Sequence, residues 1–138
     1  DFSVQREYSV LTASGPGQGW NNHISVIPYQ DFTSFSTRFS VEPSFEHTSY
    51  TINQNPQLFE VLYLNDQAYC IYAKRHGEII QMHYNELDAL KDVVSALINR
   101  YPSAMAKNID CACCAVIQML IDIGFVETTK QYEMARNI

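Results

Sequence analysis

The chain is 138 residues long, 46% hydrophobic and 17% charged, a composition that suits one globular domain with a single core rather than a disordered chain. Its net charge of −6 argues against nucleic acid as a partner, and between Glu7 and Glu60 the only Lys or Arg is Arg38, so that half offers no basic patch for phosphate or anionic lipid. No apolar run approaches the roughly 18–20 residues that cross a bilayer, so a membrane is not expected as a partner either.

Residues 2–11 have strand character, with Val4, Tyr8, Val10 and Leu11 as β-formers. "TASGPGQG", residues 12–19, reads as a linker, because Gly and Pro sustain neither regular structure, and it separates the N-terminal strand from the rest of the chain. Between Trp20 and Thr51, "HISVIPY" is extended, while Phe32, Phe35 and Phe39 share one face of a short helix that Pro43 breaks. The aromatic residues of this part (Trp20, Tyr29, Phe32, Phe35, Phe39 and Phe45) suit a core beneath a sheet or a domain contact better than an acceptor cleft.

"LFEVLYLND" (58–66) and "QAYCIYAKRHG" (67–77) are β-rich runs about an Asn65-Asp66 turn, and "RHGE" turns the chain again into "EIIQMHY" (78–84), giving three consecutive antiparallel strands. In "NELDALKDVVSALINRY" the residues Leu87, Leu90, Val94, Leu97, Ile98 and Tyr101 form one stripe of an amphipathic helix, with Asn85 as N-cap, Asp88 at the third helical position and Pro102 ending it. "KNIDCACC" is a short apolar strand. "CAVIQMLIDIG" is a helix with Val116, Met119, Leu120 and Ile123 toward the core and Gly124 at C′. "FVETTKQYEMARNI" closes the chain as one or two strands. After residue 57 the order is β-β-β-α-β-α-β, a mixed α/β domain, in which strand-helix-strand over 78–113 needs a right-handed crossover if its strands are parallel.

The cysteines are Cys70, Cys111, Cys113 and Cys114. "CACC" lacks the C-x-x-C spacing and the nearby His of a zinc site, so no metal is expected; the four read as reduced, buried residues of a cytoplasmic protein. A start at Asp1 fits either processing or a piece of a longer protein, and the second is the expectation.

The order of elements, and above all "AVIQMLIDIGFVETTKQYEM" with its helix, its "GF" and its strand holding a Tyr and a Met, resembles the GNAT superfamily of acyl-CoA-dependent N-acetyltransferases over roughly residues 58–138. The resemblance implies an α/β (α+β) fold, a GNAT-like mixed, mostly antiparallel sheet flanked by helices, whose fourth and fifth strands splay to admit the cofactor. It also implies acetyl transfer from acetyl-CoA to an amine. "DFSVQREYSVL" looks like the closing strand of another such domain, with Phe2 and Tyr8 answering Phe125 and Tyr132. The expected organisation is therefore a preceding domain's closing strand at 1–11, a linker at 12–19 and a GNAT-like domain at 20–138. The preceding GNAT domain of the same chain is the expected partner, and a homo-oligomer stays open.

The family's functional motifs are less complete. Active members carry a Gly-rich loop between the fourth strand and the next helix, whose N–H groups hold the pyrophosphate; here that junction is "QMHYNELDAL", with no glycine. Glu86 and Asp88 fall in the first helical turn and would repel a pyrophosphate. The backbone of Tyr84, Asn85 and Glu86 is what the resemblance leaves for acetyl-CoA. The last-helix pattern, anchored on Gly124 and Phe125, places Cys113 where Asn is expected and Leu120 where the Tyr that protonates the CoA thiolate would sit. Tyr132 is a poor substitute, being placed for packing. His83 is the candidate general base near neutral pH, against the plainer reading of a histidine bonded to a neighbour at a strand end; Cys114 as a nucleophile with His83 would need an electropositive setting that the sequence does not indicate. Three functions are expected, in this order: a degenerate GNAT-like domain with a structural or substrate-cleft role in a tandem acetyltransferase, a competent N-acetyltransferase with an atypical cofactor site, and a non-catalytic ligand- or protein-binding module.

Overall fold

Alternating and continuous apolar runs become seven strands, and the two amphipathic runs become α-helices, among the residues that the computed structural model describes: 2–13, 23–32, 54–65, 67–110 and 114–136. In chain order they are β1 (Phe2–Ala13), β2 (Ile24–Pro28), β3 (Phe59–Leu64), β4 (Ala68–Ala73), β5 (Glu78–Tyr84), α1 (Leu87–Arg100), β6 (Met105–Asp110), α2 (Cys114–Asp122) and β7 (Phe125–Arg136). The strands form one sheet in the order β2-β3-β4-β5-β6-β1-β7. Every neighbouring pair is antiparallel except β5 with β6. This is the mixed, mostly antiparallel α+β architecture expected, with both helices packed on the sheet.

β1, the strand that the sequence reading gives to the end of a preceding domain, lies within this sheet between β6 and β7. It runs on to Ala13, so Thr12 and Ala13 of the expected linker are strand, and 14–19 lie outside the described residues. The expected helix carrying Phe35 and Phe39 also lies outside them; Phe32 ends a 3-10 turn at Tyr29–Asp31. The run 67–77 gives a shorter strand, 68–73, because residues 74–77 make the turn into β5. Two positions in the hairpins hold left-handed backbone: Asn65 (φ 46) between β3 and β4, and Gly77 (φ 69) between β4 and β5.

One face of the sheet carries the main core. Leu62, Cys70, Tyr72, Ile79, Met82 and Ala106 meet α1 and α2 there. α1 is buried on more than a stripe, since Val93, Val94, Ser95, Ala96, Leu97 and Ile98 are consecutive and all buried. The middle of that helix is enclosed, and each fully buried Leu or Val there contributes about 1.5–3 kcal/mol. Val116, Met119 and Leu120 of α2 and Ile123 just after it are buried as expected, and Gly124 follows with φ 115. The second face holds Val61, Tyr69, Ile71 and Ile80, with Ile27, Tyr29, Phe32, Phe59 and Tyr63 packed on them. β4 is buried on both sides for that reason.

The start of α1 differs from the sequence reading by one residue. Glu86, not Asn85, is the N-cap, and it makes no side-chain cap bond. The N–H groups of Asn85 and Glu86 both donate to the Gln67 carbonyl, at 2.7 and 3.4 Å, which ties residues 85–86 to the β3–β4 turn and delays the helix. Ala89 and Leu90 then donate to the Glu86 carbonyl at 3.1 and 3.3 Å.

Candidate functional site

The site follows from how β5 parts from β6. The two run parallel and pair only at Glu78↔Met105 and Ile79↔Ala106 among the described residues. β5 continues to Tyr84 beside β4, and β6 continues to Asp110 beside β1. A wedge therefore opens between them toward their C-terminal ends, where α1 and α2 begin. Past Ile79 and Ala106 no ladder pair joins the two strands among the described residues.

A bulge marks the point of parting. Opposite β4, the pairs Tyr72↔Ile79 and Ile71↔Gln81 leave Ile80 as an extra residue in β5. Such an insertion bends the strand and increases its twist. It also corrects the strict alternation expected for Ile79, Gln81 and His83. Ile79 and Met82 lie in the helix-covered core, while Ile80 belongs to the second face. Gln81 pairs with Ile71, and His83 with Tyr69, so both of these polar residues share the second face.

His83, the candidate base, is buried at 6% exposure with its ring 5.6 Å from that of Tyr69. Tyr69 in turn meets Phe32 at 5.1 Å, and Phe32 meets Tyr63 at 5.9 Å. His83 thus stands at the end of an aromatic row, with Gln81 two residues before it and 3% exposed. Tyr84 is half-buried against the main core, whereas Asn85 and Glu86 are exposed. The backbone donors of Asn85 and Glu86, which the resemblance leaves for a cofactor, point to the Gln67 carbonyl.

The carboxylates beside that junction line a groove of about 400 Å³, made by His23, Leu64, Asn65, Gln67, Glu86, Asp88, Ala89 and Asp92. It lies between the β3–β4 turn and the first turns of α1. The first turn of α1 already holds Asp88, so its dipole is satisfied from within the chain.

The remaining candidates sort by burial. Leu120 is fully buried in α2, with no proton to give. Cys113 lies outside the described residues, and Tyr132 sits in β7 opposite Glu7. Cys70 is buried, and burial pushes its thiol well above its ordinary range. Cys114 corrects the reading of buried cysteines: it is exposed at the first position of α2, because the stripe facing the core begins at Val116. Among the described residues no group of three or more His, Cys, Asp or Glu could hold a metal ion, and no helix is long and apolar enough to cross a membrane.

Sequence reasoning missed a polar cluster where β3 and β4 meet the end of α1. The Tyr72 hydroxyl donates to Glu60 Oε1 at 2.8 Å, and Arg100 stands 3.6 Å from the same oxygen. Burial, then the bond to Glu60 and its negative charge, raise the phenol far above its ordinary value. The tyrosine therefore stays protonated and acts as a structural donor. Cross-strand pairing of Glu60 with Tyr72 creates the contact, and only the Glu60-to-Tyr72 spacing about the hairpin could have signalled it. Compared with known proteins, the chain matches no family model and no curated sequence.

Proposed function

We propose that this chain is a GNAT-like N-acetyltransferase domain whose own acetyl-CoA site is degenerate, serving a structural or substrate-cleft role beside a preceding domain of the same kind. The observation that carries the degenerate reading is the junction after β5. A pyrophosphate there would need free N–H donors, and those of Asn85 and Glu86 are bound to Gln67. It would also face Glu86, Asp88 and Asp92, which line one groove. Each carboxylate about 8 Å from a phosphate charge adds about 0.5–2 kcal/mol of repulsion. The residues present do not fit acetyl-CoA in the manner of a Gly-rich loop, and the buried Leu120 offers no acid for a departing thiolate.

Support for the acetyltransferase ancestry comes from the element order and from the parting of β5 and β6, the feature that the resemblance requires of the fourth and fifth strands. That same wedge favours one alternative, a competent acetyl-CoA-dependent N-acetyltransferase with an atypical cofactor site, in which His83 would take the proton from the amine. Calorimetric titration of the chain with acetyl-CoA separates the two. The expected result is no heat of binding up to millimolar cofactor; micromolar binding overturns the degenerate reading in favour of the alternative.

A further inference from the structure

We draw no further inference here: the strongest candidate, the groove between the β3–β4 turn and the first turns of α1 lined by His23, Glu86, Asp88 and Asp92, is a cluster of carboxylates beside a histidine, and nothing among the described residues shows what would occupy it.

Discussion

Replacing Gly77 by Ala tests how the β4–β5 turn is locked to the end of α1. Gly77 sits at φ 69, and an added Cβ would lie 2.6 Å from both Cβ and Cγ of Tyr101. The left-handed backbone alone costs an L-residue about 1–2 kcal/mol. The close approach adds about 1–3 kcal/mol of overpacking, because Tyr101 has little freedom to retreat. It is the C-cap of α1, its N–H bonded to the Leu97 carbonyl at 2.8 Å, and its hydroxyl donates to the Lys74 carbonyl at 2.9 Å. Its ring also stands edge-on to that of Tyr72 at 5.7 Å. We expect a loss of about 3 kcal/mol, equivalent to about 10 °C in the thermal midpoint for a domain of this size. Thermal unfolding followed by circular dichroism measures it, with urea unfolding as a second determination. A midpoint within about 2 °C of the parent would refute the reasoning, because both the backbone term and the contact term would then have to be wrong.

Three further outcomes are expected. Leu120→Tyr, which restores the side chain that the family resemblance asks for, enlarges a fully buried position; it should cost about 1–3 kcal/mol in urea unfolding and give no acetyl transfer in a free-thiol release assay. Stability should fall as pH rises above 9.0, the ordinary value for the Cys70 thiol. The sign comes from proton binding: the folded chain keeps that proton and the unfolded chain releases it, so unfolding gains about 1.4 kcal/mol per pH unit from this group. Urea unfolding should lose about 1.4 kcal/mol in all between pH 8 and pH 10 from this group, and Cys70→Ala should remove that loss. Tyr72 adds a slope of the same sign above its own ordinary value of 10.0, which Tyr72→Phe should remove.

Much of the architecture was legible because it rests on local chemistry. The three-strand meander follows from β-rich runs broken at Asn65-Asp66 and at "RHGE", and α2 follows from an apolar stripe closed by Gly124. The sequence pattern places the start of α1 one residue early, because the Gln67 carbonyl, eighteen residues before Asn85, holds both of the N–H groups there. The faces of β5 depart from the pattern for a related reason: periodicity predicts strict alternation, and only pairing with β4 shows that Ile80 is an extra residue.

The sequence by itself determined the three-strand meander over 58–84 and the two helices that follow it, the lack of a Gly-rich loop after "QMHY", and the apolar residue at Leu120. These are properties of residue type and short-range spacing, so a single chain read in order reveals them. Tertiary structure alone decided that β1 lies between β6 and β7, that β5 and β6 part after two pairs, and that Glu60, Tyr72 and Arg100 meet. Each of these depends on which backbone edges find one another across tens of residues. Strand propensity does not carry that choice, since the same Phe-rich or Val-rich strand satisfies its hydrogen bonds beside any neighbour whose register and burial agree.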